Sequence, residues 1–355
     1  MRHFFVLVLL VALGCSSPAP ETSVPRYSVE ESQTPDGVGL IVLHDAEAGI
    51  EASVAPSKGA NVSSIKVRFK DEWVETIYGA NNFTPGENYE GKSPTLWPAV
   101  GRNVPNDMRN PETLGGSLPV GGYDHNDKRY EMPGHGFARD YPWEVAEVGS
   151  DEDGGAWVSM FFEDNEQTLE LYPFGFRLML EVRLSDGVVE MAYGVTASDA
   201  NDDDMFFSIG NHITFNTPLV AGSDAAEMLF VSPSTTEIMK EAGMPTGELR
   251  PRSHSEPFEL ADWEVRNAVS LAEYESDPWM EMLDPAGLGI RMSHTASHWP
   301  EQPLIQFNVW GDVMDGFFSP EPWVGLQNSL VLRQGLVYLN PGADFDWTIK
   351  IEFIR

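Results

Sequence analysis

Three short segments set titratable side chains among aromatics, glycines and prolines, where a plain core strand would hold no such groups. They are residues 132–139 (MPGHGFAR), 209–216 (IGNHITFN) and 319–325 (SPEPWVG), and their chemistry-bearing members are His135, Arg139, His212 and Glu321. Carboxylates and imidazoles are the side chains best able to take and give protons near neutral pH. One glutamate and two histidines on a common pocket would suit a reaction that removes a proton from one atom and delivers one to another. Each segment alone also has a plain structural use: a histidine between glycines can serve a turn, a histidine in a strand can be a satisfied core group, and a glutamate between prolines can be an exposed bend. A zinc site from His135, His212 and Glu321 has acceptable ligand types but no short ligand spacing. The acidic run from Asp199 to Asp204 fails as a calcium loop, because the sixth and twelfth positions hold Asp204 and Gly210 instead of glycine and glutamate. It reads as a solvated turn, and neither a metal nor an organic cofactor is expected.

The elements that must position these residues are strands. From about Arg26 the dominant period is two: residues 65–69 (IKVRF) alternate apolar and charged, as do residues 347–353 (WTIKIEF). Residues 176–184 (FRLMLEVRL) put Phe176, Leu178, Leu180, Val182 and Leu184 on one face, and Asp186-Gly187 then turns the chain into residues 188–195 as a hairpin. Long segments with helical spacing and repeats of fixed period are absent. The pattern implies an all-β fold, a large antiparallel β-sandwich, occupying residues 26–355 as one domain.

Taken in order, the three segments resemble the aldose 1-epimerase (galactose mutarotase-like) family, particularly its branch with a compact HGFAR segment. The likeness covers most of the chain. Residues 50–65 (IEASVAPSKGANVSSI) resemble that family's opening strand pair with a glycine-alanine step, and residues 96–103 (LWPAVGRN) its proline and arginine segment. His135 to Arg139 with Trp143 follow, then Tyr172-Pro173-Phe174, Asn211-His212 with Phe215, Glu321-Pro322-Trp323, and Leu339-Asn340-Pro341-Gly342. The resemblance implies the family's supersandwich and an isomerase that interconverts the α and β anomers of a free monosaccharide. It implies Glu321 as base at the C1 hydroxyl, His212 as acid at the ring oxygen, and His135 and Arg102 as groups that hold hydroxyls near the ring. Arg139 would orient a carboxylate or touch the sugar, Asn211 would bind it, and Trp97, Phe137 and Trp323 would form a stacking wall. The aspartate that contacts sugar in better-studied mutarotases has no convincing counterpart, since Asp284 (in LDPAGLG) sits in what reads as a hairpin turn. Residues 103–127, rich in Gly, Pro and Asn, read as a long loop beside His135. A hexose-6-phosphate epimerase, drawing on Arg102, Arg139 and Lys128, and a carbohydrate-binding protein without turnover are the alternatives.

Composition narrows the partners. With 55 Asp+Glu against 22 Lys+Arg the formal net charge is -33, which repels phosphate backbones and argues against nucleic acid. The first fourteen residues carry Arg2 and an apolar run too short to span a bilayer, ending at Gly14 before the single cysteine, Cys15. The string VALGC resembles a bacterial lipobox, which implies cleavage after residue 14, lipidation of Cys15, a Ser/Pro/Thr-rich tether over residues 15–25, and a place in the cell envelope, periplasmic or at the cell surface. A single cysteine cannot form an internal disulfide.

Overall fold

The computed structural model describes residues 25–84, 91–109, 121–241, 243–252, 256–263 and 268–355. The expected leader, Cys15, nearly all of the expected tether and part of the 103–127 loop lie outside the described residues. Among the described residues no helix is long and apolar enough to cross a membrane.

Two antiparallel sheets face each other. The larger has nine strands in the order Phe258–Glu259, Leu229–Val231, Trp279–Leu283, Gly289–Ala296, Asp344–Ile354, Val188–Ala197, Phe176–Ser185, Gly155–Glu163 and Glu144–Asp151. The expected hairpin is there, Phe176–Ser185 against Val188–Ala197, with Asp186 and Gly187 both at positive φ (49° and 76°), the geometry a two-residue turn between twisted strands demands. Phe176, Leu178, Leu180, Val182 and Leu184 are buried while their neighbours are not, so the period-two reading gave the correct inner face. Asp344–Ile354 does the same with Phe345, Trp347, Ile349 and Ile351.

The second sheet carries the chemistry. Its path runs Met244–Pro251, Thr236–Glu241, Val269–Ala272, Ile305–Asp312, Phe317–Gly325, Ile209–Asn211 and Thr95–Leu96, with Phe215–Asn216 also paired to Phe317–Gly325. One face of this sheet closes on the larger sheet: Phe307 meets His294 at 4.9 Å and Phe318 meets Phe230 at 5.3 Å, ring centre to ring centre. Because successive side chains alternate across a sheet, Asn308 and Trp310 point away from the core face that holds Phe307 and Val309. Ser319, Glu321 and Trp323 likewise oppose Phe318 and Val324. A third sheet of five N-terminal strands, Tyr27–Gln33 to Glu72–Glu75, includes the expected pair Ile50–Ala55 and Asn61–Phe69. Its glycine-alanine step now has a reason. Gly59 sits at φ 68°, donates to Tyr141 O, and a Cβ there would collide with the backbone of Arg139. Asp284 caps a turn, accepting from Val220 N, Ser223 Oγ and Ala286 N, and the acidic run at residues 199–204 lies in the connection after Val188–Ala197.

Candidate active site

The site forms where His135, His212 and Glu321 meet. Glu321 is paired across the sheet with Asn308, and that register sets its hydrogen bonds: Asn308 Nδ2 donates to Oε1 at 3.1 Å. Trp323, two residues on and so on the same face, donates from Nε1 to Oε2 at 3.2 Å. His212 follows the short strand Ile209–Asn211, and its Nε2 lies 3.5 Å from Glu321 Oε1. On its other side Nδ1 is 3.1 Å from Ser319 Oγ, whose hydroxyl donates to Ile213 O at 2.7 Å. With that hydroxyl proton committed, the network assigns the imidazole proton to Nδ1 and leaves Nε2 as the acceptor facing Glu321.

His135 is held by backbone. Its N–H donates to Gly101 O, and its Nδ1 accepts from Gly101 N–H at 3.1 Å. A backbone N–H can only donate, so the neutral ring carries its proton on Nε2. His135 and Gly136 both have positive φ (67° and 71°), uncommon for a histidine and retained here by the close docking of this turn on the 96–103 segment. Trp97 O accepts from both Phe137 N and Ala138 N, and a Cβ on Gly136 would overlap that carbonyl. The rings of His135 and His212 are 5.4 Å apart in an edge-to-face arrangement, and His135 lies 6.0 Å from Trp323.

These groups line one cavity of about 420 Å³, together with Arg102, Arg139, Asn308, Trp310, Trp323 and Gln327. That is within the range of roughly 300–1,000 Å³ usual for small-molecule sites. Burial dominates its electrostatics. It pushes Glu321 up to about 8, against the opposing pull of the Asn308 hydrogen bond and of Lys240, and it pushes His212 down to about 3. His135 is also held well below the ordinary histidine value, first by burial and then by His212, Arg139 and Arg102. Near neutral pH the Glu321–His212 pair therefore holds one proton, resting on the carboxyl. Among the described residues no group of three or more His, Cys, Asp or Glu is arranged to hold a metal ion.

Three sequence expectations need correction. Trp97 and Phe137 are not a wall of the pocket: both are buried in the main core, in contact with each other and with Tyr172 and Phe176, well inside the sandwich. Asn211 does not face the cavity either. Its Nδ2 donates to Ser93 O and Tyr193 Oη, and its Oδ1 accepts from Ser93 Oγ, so it anchors the strand that presents His212. Lys128, proposed for a phosphate, lies over the Tyr130 ring and outside the cavity lining. Asn308, Trp310 and Gln327 were missed. A signal for the first existed: residues 305–310 (IQFNVW) place polar amides at alternate positions of an otherwise apolar strand, one hairpin upstream of Glu321.

The comparisons with known proteins bear on the family and the fold. A family model described as aldose 1-epimerase matches residues 40–268. The chain belongs to the aldose 1-epimerase family. Solved structures share the fold at low sequence identity. A Synechocystis protein has a TM-score of 0.70 at 22% identity, with 91% of this chain and 98% of that chain covered. A galactose mutarotase-like protein from Clostridium acetobutylicum gives 0.71 at 18%, covering 92% and 98%. Galactose 1-epimerase from Lactobacillus acidophilus gives 0.63 at 15%, again covering 92% and 98%. No curated protein matches the chain significantly.

Proposed function

We propose that the chain is an aldose 1-epimerase that exchanges the α and β anomers of a free aldose by opening and re-closing its ring. The observation that carries this is the Glu321–His212 contact of 3.5 Å in a cavity of monosaccharide scale. Binding alone does not require an acid and a base so matched. In the opening step Glu321 takes the proton of the C1 hydroxyl, the C1–ring oxygen bond breaks, its electron pair goes to the ring oxygen, and that oxygen takes a proton from His212. The aldehyde rotates about C1–C2 and the same transfers run backwards on the other face. A carboxylate with an imidazolium, and a carboxyl with a neutral imidazole, contain the same single proton, so the resting state needs only an internal transfer to reach the reactive one. His135 Nε2–H donates to a sugar oxygen, the guanidinium groups of Arg102 and Arg139 hold hydroxyls at the cavity wall, and Trp323 and Trp310 provide apolar faces for the ring.

The test is anomer exchange by NMR on a panel of free aldoses, corrected for spontaneous mutarotation, with hexose 6-phosphates included because two arginines line the cavity. Exchange above the spontaneous rate supports the reading. Sugar binding without it favours a carbohydrate-binding protein. We further propose export and lipid anchoring through Cys15, on the strength of the 11–15 string (VALGC). Cys15→Ser should then release the protein from membranes, and unchanged membrane fractionation would contradict the anchor.

A further inference from the structure

We infer that Lys240 is a positioning residue for Glu321, orienting the Asn308 amide toward the carboxyl and placing a cation one side chain away from it. The case begins with a row across the sheet. Ser270, Asn308 and Glu321 are successive partners on three adjacent strands. Asn308 Oδ1 accepts from Ser270 Oγ at 3.1 Å and from Lys240 Nζ at 3.1 Å. An amide whose oxygen is held by two donors, one of them cationic, must turn its nitrogen the other way, and that nitrogen meets Glu321 Oε1.

Lys240 reaches this point because the pairing of Thr236–Glu241 with Met244–Pro251 shifts register between Ile238 and Lys240. Such irregularities re-aim a side chain next to a site. Its ammonium is not part of the cavity lining. The charges that bear on it are Glu321 from the Phe317–Gly325 strand and Glu237 from its own strand. Glu237 is already engaged by Arg250 and Arg252, at 2.5 and 3.2 Å. Arg139 adds a weaker pull on Glu321. Burial pulls Lys240 itself down to about 8, with Glu321 and then Glu237 opposing that shift.

The kinetic arm of the test rests on the epimerase reading; the titration arm does not. Lys240→Met keeps the stem and removes the charge. The protonated Glu321 carboxyl is followed by its infrared C=O stretch, assigned as the band missing in Glu321→Gln. In Lys240→Met the titration should move up by about one pH unit, and kcat at neutral pH should fall about tenfold with KM nearly unchanged. Lys240→Arg should return part of both, and Lys350→Met, on an exposed part of the large sheet, should change neither. An unmoved Glu321 titration in Lys240→Met overturns the inference, as does an equal loss in Lys350→Met. Should the wild type turn over no sugar, the infrared shift decides alone.

Discussion

His294 offers a stability test independent of any sugar. It is buried in the Gly289–Ala296 strand, where Nδ1 accepts from Trp347 Nε1 at 3.0 Å and the ring packs edge-on against Phe307. Burial pushes its pKa down from 6.5 to about 3, so the folded protein keeps it neutral where the unfolded chain would protonate it. A depressed folded value means that stability is complete above pH 6.5 and is lost as pH falls toward 3. Well inside that window each pH unit costs about 1.4 kcal/mol, and by pH 4.5 the loss reaches about 2.7 kcal/mol relative to pH well above 6.5. His294→Gln offers an acceptor to Trp347 but cannot protonate. The assay is denaturant unfolding of both proteins at closely spaced pH values. The variant starts less stable at pH 7, but its stability should decline between pH 6 and 4.5 with a slope smaller by one proton, about 1.4 kcal/mol per unit. Titrating surface acids affect both proteins alike and cancel in the difference. Parallel curves would refute the argument that burial, rather than some compensating partner, governs this imidazole.

The one-proton pair predicts a pH–rate profile for anomer exchange that is level through the acid-neutral range and declines above about pH 8, where Glu321 loses its proton; a rate that climbs through pH 8 would contradict it. Gly136→Ala forces a Cβ into the Trp97 carbonyl and should lower the unfolding free energy by roughly 3 kcal/mol. Gly222→Ala, equally left-handed (φ 88°) but with open space around it, should lose only about 1 to 2 kcal/mol in the same titration. The net charge of -33 predicts a melting temperature that rises as salt shortens the screening length to about 10 Å, and a flat curve would count against self-repulsion.

The parts of the fold visible in the sequence were those with local causes. Alternation fixed the inner faces of Phe176–Ser185 and Asp344–Ile354, and Asp186-Gly187 fixed a turn, because period and turn chemistry act between near neighbours. The convergence of His135, His212 and Glu321 was legible only through the ordered resemblance, since nothing local links residues so far apart. Trp97, Phe137 and Asn211 were misplaced for a related reason: residue type does not say which side of a segment faces a cavity, and all three turned inward to satisfy packing or hydrogen bonds. Lys240 could not be found at all. Its role depends on an irregularity in strand pairing and on Asn308 standing between it and Glu321.

The central claim is that Glu321 and His212 pass protons to and from a sugar, and Glu321→Gln tests it most directly. The amide keeps the shape and can still hydrogen-bond to a hydroxyl, but it cannot accept the C1 proton. Anomer exchange measured by NMR, with sugar affinity measured alongside, should show a rate loss on the order of 10² to 10⁴ and an affinity changed only a few-fold. A Glu321→Gln protein that exchanges anomers as fast as the wild type would contradict the account.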